Sequence, residues 1–282
     1  VVRDSVIRVS ANWENRGNFA KSSCNHQFMK KIIAFSCFLF LCHFSLAQSK
    51  DSTTQTPSFF RGQITATNNG ISLIPNFSLN NPAALFDLSV GKGRLSFDPM
   101  FRFGLNTKPW VFVFWFRYKL IAKQKFSMSI GAHPSYLFRT EILTTNGVSK
   151  EVMTTQRYFA WEATPTYHLN KKIGIGLYYL GSHGLTKDLI QYTHFVALRS
   201  IISNIPLGKN FNFMFIPQVY YLKQDQLTGT YINATLGFAK NNFPVSISLI
   251  ANQALQSEIV GKDFLWSVGL VYNINKEYER KR

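Results

Sequence analysis

FSMSIGAHPSYLF (126–138) places Phe126, Met128, Ile130, Ala132, Pro134, Tyr136 and Phe138 on one side of an extended chain, with Ser127, Ser129, Gly131, His133 and Ser135 on the other. Side chains alternate across a strand, so a dyad repeat held this long sets one face against an apolar medium and the other against a polar one. The pattern recurs. Leu95, Phe97, Pro99, Phe101 and Phe103 form a second row, and Trp110, Phe112, Phe114, Phe116 and Tyr118 a third. Phe264, Trp266, Val268, Leu270 and Tyr272 form the last.

Twelve such strands are expected, at roughly 71–78, 83–91, 95–106, 109–121, 125–139, 157–169, 172–182, 190–204, 210–222, 229–239, 243–254 and 263–273, with 60–67 able to extend or replace the first. Their connections alternate. GKGR (91–94), AKQK (122–125), LNKK (169–172), PLGKN (206–210) and AKNNF (239–243) are tight and basic, while the others are more varied, the longest being 140–156. Asn80-Asn81-Pro82 and Asn146-Gly147 read as turns. An even strand count with short turns at one end and longer loops at the other predicts an all-β fold, a closed antiparallel transmembrane β-barrel. The prolines of the outward rows, Pro75, Pro99, Pro134, Pro165 and Pro217, each lack a ladder donor and predict bulges or strand ends.

Upstream, Met29-Lys30-Lys31, the apolar run from Ile32 to Phe44 and the small residues of Ser45-Leu46-Ala47 read as a signal peptide cleaved before Gln48. The expected organisation is therefore 1–28 an extension from an upstream mis-assigned start, 29–47 the signal, 48–58 a flexible leader, 59–275 the barrel and 276–282 a basic tail. Cys24, Cys37 and Cys42 all precede the cleavage point, which excludes disulfides and thiolate metal sites from the exported chain. No apolar run after Ala47 is long enough for a membrane helix. The chain is basic, with 31 Lys+Arg against 14 Asp+Glu. In a soluble fold that would suggest nucleic acid. Here the basic residues fall at turn tips, so no nucleic-acid partner is expected. The basic turns either solvate one rim or dock an acidic periplasmic partner or anionic head groups.

Placing Arg or Lys on a lipid face at mid-membrane costs about 2–4 kcal/mol. Asp87, Asp98, Arg102, Arg117, Lys119, Arg139, Glu162 and Arg199 are therefore expected to face inward as a lumen charge network or pore lining. Trp115, Leu137, Leu180, Ile216 and Ile250 share that side and favour a filled or greasy interior. His133 and Ser135 have the spacing and inward phase of a polar pair, the one candidate for hydrolytic chemistry, with no evident third residue to orient the histidine. No metal spacing and no phosphate-binding glycine loop is present, and no cofactor is expected.

Taken together, the signal MKK…SLAQ, the aromatic alternating strands and the final strand FLWSVGLVY (264–272) resemble the small outer-membrane β-barrel proteins of Gram-negative bacteria over about Ile71 to Tyr272. The resemblance implies an outer-membrane address with both termini periplasmic, outer-membrane lipid as surroundings, and the barrel-assembly machinery as partner during biogenesis. It implies no functional subfamily. The expected role is structural, partner-binding or narrow transport, without chemistry of its own. An anion-preferring channel, porin-like, is the first alternative and a lipid hydrolase the second.

Overall fold

The computed structural model describes residues 58–145, 148–187 and 189–278. The expected extension, the signal peptide and all but the last residue of the leader lie outside them. The described chain is one closed barrel of twelve antiparallel strands: β1 (Ser58–Thr67), β2 (Ala83–Lys92), β3 (Leu95–Gly104), β4 (Pro109–Ala122), β5 (Phe126–Thr145), β6 (Val148–His168), β7 (Ile173–Gly184), β8 (Tyr192–Leu207), β9 (Phe211–Gln224), β10 (Leu227–Lys240), β11 (Val245–Ser257) and β12 (Phe264–Tyr278). Each strand pairs with its sequence neighbours, and β1 closes on β12 from Ser58↔Tyr278 to Thr67↔Gly269. Closure leaves the wall without a free sheet edge. The five turns β2–β3, β4–β5, β6–β7, β8–β9 and β10–β11 lie at the same end as both described chain ends, here the terminus end. The opposite end is the loop end. Gly93 (φ 60°) and Asp225 (φ 50°) supply the left-handed residue that two-residue hairpin turns require, one at each end.

The expected strand over 71–78 does not form. Ser58–Thr67 takes its place, and residues 68–82 instead fold into the loop end of the lumen, with a short 3₁₀ turn, Pro75–Phe77. Alternation in 71–78 is broken at Ile74-Pro75, and proline cannot donate to a central ladder. The segment is stitched to itself: the Gly70 carbonyl accepts the Leu79 and Asn80 amides, and Ser78 Oγ accepts the Ser72 amide at 2.9 Å.

Within the expected long loop 140–156, residues 140–145 and 148–156 are strand, and the expected Asn146-Gly147 turn lies outside the described residues. β5 and β6 pair up to Thr145↔Val148. β4 leaves β5 at Leu137 and β7 leaves β6 at Tyr158. The eight pairs from Phe138↔Thr155 outward therefore form a two-stranded ribbon with no third strand paired to it, about 27 Å long at the usual rise per residue.

Four of the five prolines sit mid-strand, and none coincides with a bulge. The ladder instead skips two residues beside each one and resumes in register: Asp87↔Met100 to Val90↔Phe97 beside Pro99, and Val113↔Ser135 to Phe116↔Ala132 beside Pro134. The same occurs from Ala163↔Tyr179 to Thr166↔Gly176 beside Pro165, and from Arg199↔Gln218 to Ile202↔Phe215 beside Pro217. Register shifts occur elsewhere. The one between Arg102 and Phe103, opposite Pro109 to Val111, corrects the expected third row: Trp110 is the extra residue and turns inward, 1% exposed, while Phe112, Phe114, Phe116 and Tyr118 keep the outward phase.

The outer face carries the apolar rows. Leu177, Leu198, Ile232, Trp266 and Leu270 are all exposed there. Between Lys92, Lys240 and Lys276 at one rim and Arg157 and Lys223 at the other, no described outward position is charged. A water-soluble barrel buries its apolar residues in the lumen and solvates the outside; here the outer wall itself is an uncharged apolar belt.

Candidate functional site: the lumen

The two ends of the lumen differ because the inward residues differ in size. Toward the terminus end many are small, among them Gly91, Ser96, Ser127, Gly176 and Ser248. Toward the loop end they are bulky and form two clusters. Ala83, Trp110, Leu137 and Tyr158 pack under Phe77 and Leu79, and Phe195, Ala197, Tyr220, Leu222, Tyr231 and Ile259 under Leu73 and Ile74. The rings of Phe195, Tyr220 and Tyr231 stack in sequence at 4.7 and 4.8 Å.

Three lumen side chains hold segment 68–82 by its backbone carbonyls. Tyr220 donates its hydroxyl to the Leu73 carbonyl (2.8 Å), Trp110 Nε1 to the Phe77 carbonyl (2.9 Å), and Arg139 to the Asn76 carbonyl. They project from β9, β4 and β5, so the segment is tied across the mouth of the barrel. Beneath it lies a cavity of about 430 Å³, lined by Leu73, Ile74 and Phe77 from the segment and by Trp110, Trp115, Leu137, Tyr158 and Phe195 from the wall. Arg102, Arg117, His133, Ser135 and Ser182 supply its polar points.

On the terminus side of Trp115, a polar network spans the lumen. Arg117 donates from Nε to Glu162 (2.6 Å) and from Nη1 to Asp98 (2.8 Å). Ser89 (2.5 Å) and Ser96 (3.1 Å) donate to Asp98, and the Tyr178 hydroxyl to Glu162 (2.9 Å). The Arg117 guanidinium also lies 4.4 Å from the Trp115 ring centre, and that of Arg199 lies 5.3 Å from Tyr178. Buried charges require this degree of pairing to be tolerated.

Of the eight inward charges expected from the sequence, the structure thus joins Asp98, Arg117 and Glu162 in one network. Asp87 and Arg102 form a separate, looser pair at 3.8 Å. Arg139 serves segment 68–82, Arg199 faces Tyr178 without a carboxylate partner among the described residues, and Lys119 lies exposed near the terminus end. His133 and Ser135 both line the cavity, and His133 packs edge-on against Trp115, ring centres 3.9 Å apart; no hydrogen bond links His133 to Ser135. The histidine–serine contact that does form is His168 Nε2 with Ser127 Oγ (2.9 Å), near the terminus end. No carboxylate or amide side chain orients His168 among the described residues, so the arrangement lacks the third member a serine nucleophile uses. Groups of three or more metal-ligating side chains are absent among the described residues. Sequence reasoning missed Tyr178, Ser89 and Ser96 as partners of the carboxylates, although their inward phase was visible. It missed Trp110 and Tyr220 as anchors because 71–78 read as a strand of the wall.

No family model matches the chain, and no curated protein does. Among solved structures it is similar to an outer membrane channel from Pseudomonas putida F1 (10% identity, 81% of this chain and 98% of that one, TM-score 0.44). It is similar also to LpxR from Salmonella typhimurium (10%, 76% and 99%, TM-score 0.44) and to OmpT, an outer membrane protein of Vibrio cholerae (8%, 81% and 100%, TM-score 0.34). Scores this low carry no argument for a shared activity. The fold of this chain, a closed twelve-stranded antiparallel barrel with its apolar rows outward, stands on its own geometry.

Proposed function

We propose that the protein is a bacterial outer-membrane barrel, terminus end toward the periplasm, that admits a small and largely apolar molecule to the chamber beneath segment 68–82 and holds no standing aqueous pore. The observation that carries this reading is the segment itself. Three wall side chains bind its carbonyls, its apolar residues face the lumen, and what remains below is a cavity walled by aromatic and aliphatic groups with a few polar points, the usual composition of a small-molecule site. An anion-preferring channel would need cations facing water along the lumen; Arg117 is instead paired twice, Arg139 is bound to the segment and Arg199 lies against the Tyr178 ring, which leaves Lys119 exposed near the terminus end.

Two measurements test the reading. In planar bilayers the protein should be silent, and a variant lacking residues 70–79 should show stable conductance steps. The apolar fluorophore N-phenyl-1-naphthylamine should accept energy from Trp110 and Trp115 in the intact protein. Steady conductance by the intact protein, or no energy transfer to the probe, overturns the proposal.

A further inference from the structure

Basic residues stand at every station around the terminus rim. The five turns contribute Arg94, Lys123, Lys171, Lys209 and Lys240 in order, and Lys276 of β12 fills the sixth position beside the closure with β1. Lys92, Lys125 and Lys172 double the first three, and all nine are exposed. The strands alternate in direction, so these stations fall two strands apart around the whole circumference. The acids are distributed oppositely. Among the described residues, Glu141, Glu151, Asp225, Glu258 and Asp263 lie at the loop end, Asp87, Asp98 and Glu162 in the lumen, and only Glu277 at the terminus end, where it faces Arg61 at 3.6 Å. The loop end is nearly balanced, since Lys108, Lys150, Arg157, Lys187, Lys223 and Lys262 offset those five acids.

We propose that this ring binds the anionic head groups of phospholipids in the leaflet at the terminus end, a reading that rests on the membrane-spanning placement given above. An evenly spaced circle matches a continuous surface of head groups meeting the barrel from all sides. A single docked protein would be met by one-sided charge. Lys92, Lys240 and Lys276 point outward at the ends of their strands, where long side chains reach from the apolar belt to the phosphate level. A basic residue near an anionic surface contributes attraction that falls off within a Debye length, so the effect is sensitive to salt.

Outward-facing Trp161 provides the readout, in a Trp266→Phe background because Trp266 lies near the loop-end start of β12. The full-length protein is reconstituted in phosphatidylcholine vesicles, and tryptophan quenching by phosphatidylglycerol with brominated acyl chains is compared with quenching by the equivalent brominated phosphatidylcholine. The expected relative association constant favours phosphatidylglycerol by about threefold or more and falls toward one in 1 M salt. It falls likewise in the variant carrying K123Q, K125Q, K171Q, K172Q and K209Q. A loop-end variant with K187Q, K223Q and K262Q keeps the preference. Equal constants for the two lipids in the unmodified protein overturn the proposal and leave the rim to an acidic protein partner, as does a preference that survives in the turn variant. Failure of the membrane placement reads differently: neither brominated lipid would then quench Trp161.

Discussion

Arg117 illustrates how much one inward residue holds. It reaches carboxylates on β3 and β6 and rests on the Trp115 ring, so removing it leaves Asp98 and Glu162 charged with no cation in contact. Arg117→Met should destabilise the barrel by about 3–5 kcal/mol, the usual result of stranding a buried charge. Glu162→Gln keeps shape and acceptor oxygen and should cost about 1–3 kcal/mol, the loss of a hydrogen bond to a charged group. Urea unfolding in detergent micelles measures both, and equal stability of Arg117→Met and the unmodified protein would show that the network does not hold the wall together. At this scale the sequence was legible by phase alone. The alternation that sets Phe97 and Phe116 outward forces Asp98 and Arg117 inward. Which of the eight charges meet was not legible, because partners arise across strands whose relative stagger depends on register shifts such as those at Arg102/Phe103 and Lys119/Ile121.

The elements divide into those the wall needs and those it does not. The outer eight pairs of the β5–β6 ribbon have no strand paired on either side. At its base Phe138 meets Phe112 and Arg139 holds Asn76, and farther out the exposed Glu151 pairs with Lys108 of the β3–β4 loop. Shortening the ribbon by deleting 141–152 keeps Phe138 and Arg139 and should change barrel stability by no more than about 1 kcal/mol, the upper worth of the exposed Lys108–Glu151 pair it removes; a larger loss would show that the ribbon folds back onto the wall. The Trp110, Arg139 and Tyr220 contacts to segment 68–82 should behave in the opposite way. Trp110→Phe, Arg139→Ala and Tyr220→Phe combined remove three hydrogen bonds worth about 0.5–1.5 kcal/mol each. Protease cleavage within 68–82 should accelerate while the barrel stays resistant. Sequence alternation located eleven of the twelve strands but assigned 71–78 as the first. An apolar stretch reads alike whether it lies in a wall or fills a cavity, and only the proline at position 75 signalled the difference.

At the scale of the whole molecule, the apolar outer belt predicts its own penalty. Ile232 is outward near mid-wall, and Ile232→Arg should cost about 2–4 kcal/mol in a bilayer. The same change on a water-exposed surface would cost about 0.5 kcal/mol or less. Refolding yields into lipid vesicles, titrated with urea, separate the two. The amino-acid sequence by itself determined eleven of the twelve strands, most of their inward and outward faces, the short basic turns of one end and the closed architecture, because each follows from periodicity along the chain and from the cost of charge in an apolar medium. Only the tertiary structure decided that residues 68–82 close the loop end, that Trp110 turns inward, that Arg117 joins two carboxylates and that the basic turns complete a ring. Those outcomes depend on which residues of distant strands come level with one another, and that stagger is set by closure and by register shifts that no local pattern encodes.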